Sequence, residues 1–406
     1  MTSYKDLGLN SIINACGTVT RLGGAPMRGE VLDAFHEAAQ EWVPLEQLQA
    51  AASRKIAETT GAEAGLITAG SAAALTLGTA AILARHDLGR MEKLPQTDGF
   101  PNEIIIAREQ RSGYDHAIRA AGARLIEVGF NEVTSNAGVR RAELWEFEAA
   151  ITPQTAGIAY VLGPGSCPGL SDLVEMAHRH NLPVIVDAAG ELPPRENLNR
   201  IPATGADLVA FSGGKAIRGP QSTGILCGRR DLISSAALQM LDMDDHLELW
   251  DPPAEFIDRS QLAGIPRHGI GRALKVSKEE IVALLTALEL FSTGAYDDDP
   301  PRLLGHLNSI QTGLQNAHAE CRIVEPAARD RWAVLEISVD EQTLGRTAFD
   351  VCKALREGAP PVYVSHGKLS EGTLVVNPLC LSEESTAQLS RRLLEELGTS
   401  ARSNDS

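Results

Sequence analysis

Paired cysteines, long apolar runs and surplus positive charge are all missing from this chain of 406 residues, and each absence removes a class of protein. The six cysteines (Cys16, Cys167, Cys227, Cys321, Cys352 and Cys380) form no CxxC pair. Neither a disulfide framework nor a zinc site is therefore expected, and reduced cytosolic thiols are the default. No stretch of roughly 18 apolar residues occurs, and the start, MTSYKDLGLNSIINACG, has no apolar run behind a basic region. Secretion and membrane spanning are not expected; a cytoplasmic enzyme subunit is. Lys and Arg total 37 against 53 Asp and Glu, a net charge of −16. A nucleic-acid binder needs cations to neutralise phosphates, so no nucleic-acid partner is expected, although a few cations focused in a cleft can still hold a small anion. Repeats of roughly 20–50 residues are absent, which disfavours a solenoid or propeller. His178 and His180 stand at i, i+2, which turns their rings to different helix faces, so no metal site is expected either.

What is present is an alternation of short apolar runs and amphipathic segments. Residues 47–59 read as a helix, 64–68 as a buried strand and 71–84 as a helix rich in small residues. Strands are expected at 103–107, 124–128, 157–162, 183–188, 207–211 and 223–227, with helices near 114–121 and 170–180. Strands separated by single helices imply parallel pairing through crossovers, and their continuous Val/Ile/Leu content implies cover on both faces. After about residue 275 the rhythm changes. Helices at 276–292, 300–318 and 382–397 and strands near 321–325, 332–338 and 373–376 predict a smaller α+β domain. The expected division is an N-terminal segment plus large domain over 1–275, a small domain over 276–398 and a disordered tail at 399–406. Residues 241–273 read as a long functional loop.

Three strand ends carry unusual chemistry. In TAGSAAAL (68–75) a strand enters a helix through Gly70 and Ser71, where unpaired N–H groups and the helix dipole suit an anion. An ordinary N-cap by Thr68 or Ser71 is the plainer reading. In VIVDAAGE (184–191) Asp187 closes an apolar strand, where a carboxylate needs a cationic partner, a helix to cap or a structural arginine. In FSGGKAIRGPQSTGILCG (211–228) Lys215 follows Ser212 and two glycines. A lysine desolvated in a tight bend becomes a competent imine former and proton shuttle, whereas a lone SGGK is more often a surface loop. Together the three supply what a pyridoxal 5′-phosphate (PLP) enzyme requires: a phosphate anchor, a partner for the pyridinium nitrogen and a Schiff-base lysine.

The spacing of Gly70, Ser71, Asp187 and Lys215 resembles the fold-type I, aspartate-aminotransferase-like PLP enzymes. Within them, IINACGTVTRLGGAPM (12–27), TGAEAGLITAGSAAAL (60–75), VDAAGELPP (186–194), FSGGKAIRGPQSTGILCG (211–228), GRALKVSKEEI (271–281) and GAPPVYV (358–364) resemble the selenocysteine synthase (L-seryl-tRNA selenium transferase) group and its relatives, the D-glucosaminate-6-phosphate ammonia-lyases. The resemblance implies an α/β fold with a mostly parallel sheet in the large domain and a smaller C-terminal α+β domain. It implies Lys215 as the Schiff-base residue, Asp187 at the pyridine nitrogen, and Gly70, Ser71 and Ser212 at the phosphate. A ring-stacking residue is expected just after strand 103–107, Gln110 or Arg111 ahead of Tyr114 and His116. A homodimer or higher homo-oligomer is implied as well.

Selenocysteine synthases carry an extra N-terminal domain for tRNA, while here the IINACGT segment starts at residue 12, which points to the branch with a small amino-acid substrate. Arg272, Arg21, Arg218 and Arg267, with Lys275, are candidates to bind a substrate carboxylate or phosphate, Arg272 first, because a guanidinium donates two parallel hydrogen bonds. One departure stands out: relatives carry an arginine in a DPRTL-like segment, where this chain reads NPLCL (377–381). The expected reaction is α,β-elimination from a hydroxylated amino acid, giving ammonia and a 2-oxo acid. Aldol cleavage or racemisation would need the same groups, and a selenium transferase or tRNA-binding role is the more distant alternative.

Overall fold

The computed structural model describes residues 3–130, 141–325 and 332–398; the expected tail at 399–406 lies outside the described residues. Twelve strands follow in chain order: β1 (Ile13–Ala15), β2 (Ala64–Thr68), β3 (Glu103–Ala107), β4 (Arg124–Val128), β5 (Thr155–Val161), β6 (Val184–Asp187), β7 (Leu208–Ser212), β8 (Gly224–Gly228), β9 (Ala319–Val324), β10 (Val334–Val339), β11 (Val362–Val364) and β12 (Thr373–Val376).

Seven of them form one sheet in the order β2-β8-β7-β6-β5-β3-β4. The near-continuous Ile, Val and Leu of β2, β3 and β8 leave every residue of those strands buried, as expected when both faces are covered. The helix Gly70–Ala84 lies on this sheet and is buried from Ala73 to Ala84. Its alanines and glycines let its axis approach closely. Pairing from β7 through β6, β5 and β3 to β4 is parallel, but β8 runs antiparallel to both β2 and β7. Parallel pairing throughout is thus corrected at one strand. The cause is local: the 213–223 connection contains no helix, and a parallel crossover needs about a dozen residues, usually helical.

The chain forms two compact units, Met27–Thr293 and a second made of Met1–Pro26 with Gly294–Ser406, so a cut at residue 275 misplaces both the N-terminal segment and the helix Lys278–Ser292. The physical reasons are contacts distant in sequence. Strand β1 pairs in parallel with β11, Ile13 opposite Val362, which makes the N-terminus part of the C-terminal unit. The helix Lys278–Ser292 packs instead on the helix Gly29–Ala39 of the large unit. In the second unit β12-β10-β9 form an antiparallel sheet whose apolar face, including Leu335, Ile337, Leu374 and Val376, meets Val351, Leu355 and Leu389 from helices Ala348–Glu357 and Glu383–Leu397. Among the described residues no helix is long and apolar enough to cross a membrane.

The 241–273 segment is irregular but anchored, with Trp250, Phe256 and Ile257 buried and only the short turns Arg259–Gln261 and Ile270–Leu274 regular.

Candidate active site

The register brings three chain segments to one edge of the large sheet. Thr68 at the end of β2 and Ser212 at the end of β7 both face Gly224 at the start of β8. A Cβ on Gly224 would stand 2.4 Å from the Gly70 carbonyl carbon and 2.5 Å from the Ser71 nitrogen, so glycine is what lets the start of helix Gly70–Ala84 fold over this strand. Gly70 itself has φ +87°, a left-handed conformation that glycine adopts readily. No side chain caps this helix and no acid occupies its first turn; Thr68 Oγ1 donates instead to the Gly70 carbonyl at 3.0 Å. The N-cap reading therefore does not hold, and the first N–H groups of a long, partly exposed helix start remain open to an anion.

Asp187 closes β6, between Val161 of β5 and Ala210 of β7. Its Oδ1 accepts a hydrogen bond from the Ala189 N–H at 3.0 Å, and among the described residues no arginine or lysine pairs with it within salt-bridge distance. Burial pushes its carboxyl above the ordinary range, against the pull of that N–H and of the Lys215 charge. Lys215 lies in the turn after β7, half-buried, with its amine in no ion pair among the described residues. The turn is tight: Gly213 N–H donates to Thr223 O at 2.9 Å and Gly219 N–H to Gly213 O at 2.9 Å. The Lys215 carbonyl accepts from Arg218 N–H at 3.1 Å.

The other expected site residues are placed differently. Gln110 is buried, its Oε1 accepting from Val161 N–H at 3.0 Å while its Nε2 reaches the Cys167 carbonyl. Arg111 pairs with Asp115 and Glu127, and the Asp115 hydrogen bond raises its already high pKa. A cavity beside Asp187 is lined instead by Ser112, Tyr114, Asp115 and Tyr160. Tyr114 is the N-cap of helix Asp115–Ala120 rather than a residue within it, and it is largely exposed. Tyr160, within β5, donates to Pro168 O at 2.7 Å and is pushed up to about 12 by burial. Sequence reading passed over Tyr160; the available signal was a phenol inside an apolar run, which needs a polar partner.

Arg218 is buried beside Lys215 and adopts φ +60°. Arg272 donates to Asp242 at 2.7 Å and, with Lys275 and Lys278, lines a cavity of about 610 Å³ walled by Trp42, Met240 and Ile281. Arg267 makes a two-pronged pair with Glu92, both contacts 2.9 Å, on an exposed surface. Arg21 belongs to the second unit. His178 bonds Asp207 and His180 bonds Glu148, so the two rings serve different partners. Asp242, Asp244 and His268 do come within 4.8 Å of one another at the surface, an arrangement that exposed acids commonly make without an ion.

Residues 115–243 match the class-V aminotransferase family. The chain is 30% identical over 97% of its length, and 97% of the relative's, to the D-glucosaminate-6-phosphate ammonia lyase of Salmonella typhimurium. It belongs to this family of fold-type I, PLP-dependent enzymes. A 5′-C-glycyluridine monooxygenase-decarboxylase from Streptomyces is also 30% identical, over 97% of this chain and 92% of that one. The L-seryl-tRNA(Sec) selenium transferase of Geotalea daltonii is 26% identical, covering 97% and 84%. A solved D-glucosaminate-6-phosphate ammonia-lyase superposes with TM-score 0.80 at 29% identity, over 98% of this chain and 99% of that chain. A serine palmitoyltransferase from S. paucimobilis, TM-score 0.53 at 12% identity over 95% and 88%, shares the fold.

Groups that could hold the family's cofactor lie in the large unit. Among the described residues, a half-buried acid with no arginine or lysine within salt-bridge distance, a half-buried lysine in no ion pair and a helix start with no side-chain cap and no acid in its first turn lie along one sheet edge. Each lacks a partner that a pyridinium, an aldehyde carbon or a phosphate would supply.

Proposed function

We propose that this enzyme is a lyase that eliminates a β-substituent from a small hydroxylated amino acid, releasing ammonia and a 2-oxo acid. The observation that carries the reading is the trio of Asp187, Lys215 and the Gly70–Ser71 helix start, in no ion pair and with no side-chain cap among the described residues, in a chain similar over nearly its whole length to an ammonia lyase. Lys215 would hold PLP through its amine, Asp187 would face the pyridine nitrogen, and Gly70, Ser71 and Ser212 would hold the phosphate. The bound cofactor supplies an electron sink for bonds at the substrate Cα.

The residues then have defined tasks. Lys215 Nζ takes the proton from Cα and can return one to the leaving hydroxyl. Asp187, whose carboxyl burial raises above the ordinary range, would hold a cation beside it in place. Ser112 and Tyr114 line the cavity beside Asp187 and would be the residues nearest a ring held there, while Gln110 ties the adjoining turn to β5 and Arg111 pins Asp115. Arg218 and Arg272 are the candidates in this unit for the substrate carboxylate; Arg267 is committed to Glu92. Exposed Leu32, Phe35, Trp42 and Val43 in the large unit support a homo-oligomer, and six free cysteines support a cytoplasmic setting.

Purified protein supplied with PLP should absorb in the visible-edge region, borohydride should fix the cofactor on Lys215, and hydroxylated amino acids should yield ammonia. Protein that stays colourless ends the reading. The monooxygenase-decarboxylase, also 30% identical, favours a second one, an oxygen-dependent oxidation with loss of carbon dioxide. Oxygen uptake without ammonia would select it over elimination.

A further inference from the structure

Arg21 and Arg356 converge on one aromatic ring in the second unit. The Arg21 Cζ lies 5.6 Å, and the Arg356 Cζ 5.2 Å, from the centroid of Tyr363. The fold forces this meeting. Strand β1 pairs with β11 so that Asn14 faces Tyr363; the turn Thr20–Leu22 that follows β1 carries Arg21, and the last turn of helix Ala348–Glu357 carries Arg356.

Neither guanidinium has a carboxylate within salt-bridge distance among the described residues, although acids outnumber bases by 53 to 37. Three other arginines of the same unit are paired, Arg302 with Asp299, Arg346 with Glu396, and Arg392 with Glu395 and Glu396, while Arg322 and Arg391 are in no such pair among the described residues. The Arg356 Nε is buried with no hydrogen-bond partner among the described residues, as is the Nε of the ion-paired Arg392. A helix C-terminus favours a cation and so accounts for Arg356 alone, but not for a second cation on the same ring. Both guanidiniums also act on the thiols of Cys16 and Cys352, which burial pushes up and the two positive charges pull back. The neighbouring NPLCL segment supplies no cation: Leu379 and Leu381 are buried, and Asn377 N–H donates to Ala15 O at 2.9 Å.

We propose that Arg21, Arg356 and Tyr363 form a binding subsite for an oxyanion, the carboxylate or phosphate group of a small molecule. Two guanidiniums offer the planar forks that match such groups, and contact with the tyrosine ring restricts the freedom of both. The subsite lies wholly within the second unit and stands independently of the lyase chemistry.

The test is calorimetric titration of the PLP-loaded, borohydride-treated full chain, whose cofactor phosphate cannot exchange, with inorganic phosphate and separately with succinate. At least one should saturate, and which one does tells phosphate from carboxylate. Arg21→Gln and Arg356→Gln should each weaken that binding roughly tenfold or more. Arg356→Lys should recover part of it, since charge returns without the fork. Melting curves and the cofactor absorbance, unchanged in the variants, show that the fold and the PLP site are intact. Absence of binding by both anions, or the same affinity in the double Gln variant, would overturn the subsite without touching the cofactor reading.

Discussion

Asp187 and Asp207 sit at opposite ends of adjacent strands, and the sheet treats them differently. Asp207, just before β7, is 2% exposed, and its carboxylate accepts from Val184 N–H at 2.8 Å, His178 Nε2 at 2.9 Å and Arg229 Nη1 at 2.9 Å. Glu103, at the same edge, is bonded by Arg124 and by Thr152 Oγ1. Asp187, at the other edge, has one N–H from its own turn, and burial alone lifts its carboxyl. A buried charge that the protein satisfies is a structural fitting; one it leaves short of a partner is a receptor. The edge at the carboxyl ends of the parallel strands is the binding edge in open α/β sheets, and Asp187 lies at that edge.

The contrast can be broken by experiment. Lys215→Ala, at the binding edge, should lower kcat by about 10²–10⁴-fold and abolish borohydride fixation, with the unfolding midpoint nearly unchanged. A variant that keeps turnover would remove the lysine from the chemistry. At the opposite edge Asp207→Asn should cost roughly 3 kcal/mol in urea unfolding, because Arg229 and the Val184 N–H lose a charged partner. A loss below about 1 kcal/mol would mean that Asp207 is no better integrated than an exposed pair. Gly224→Ala should cost about 1–3 kcal/mol and weaken PLP retention together, since the added methyl meets Gly70 and Ser71. Lost stability with PLP affinity intact would separate the helix start from the cofactor.

The smallest effect sharpens the comparison most. In cofactor-free protein the raised Asp187 carboxyl binds its proton more tightly folded than unfolded. Its contribution to stability is therefore complete below the unfolded pKa and is lost as pH rises through the folded one. Asp187→Asn cannot lose a proton, so its urea midpoint should gain on the parent as pH increases from about 4 to neutrality, while its affinity for PLP falls. A pH-independent difference would show that Asp187 is already satisfied.

Much of this was legible in the chain. The strands at 64–68, 103–107, 124–128 and 373–376 lie where apolar runs bounded by turn residues put them, and the helix at 71–84 gains only Gly70. Local patterns decide local structure, because side-chain periodicity is fixed by the geometry of each element. Strand β1 and its partner β11, three residues each, escaped for the converse reason: neither is long enough to show a period, and each exists only because the other is there. Among the candidate site residues, Asp187 and Lys215 were marked by their residue types at strand ends, and Tyr114 only as a lesser stacking candidate. Ser112 and Tyr160 were not marked, since nothing in one dimension says which side chains share a cavity with Asp187.

The sequence by itself determined the family and most of the longer elements of the large sheet, and it marked Asp187 and Lys215 as candidates, since these are written in short contiguous motifs. Tertiary structure alone decided the direction of β8, the return of the N-terminus to the C-terminal unit, the commitment of Arg267 and Arg111 to acids, and the meeting of Arg21 with Arg356 on Tyr363. These depend on pairings between residues far apart in the chain, whose energies exist only once the fold has closed.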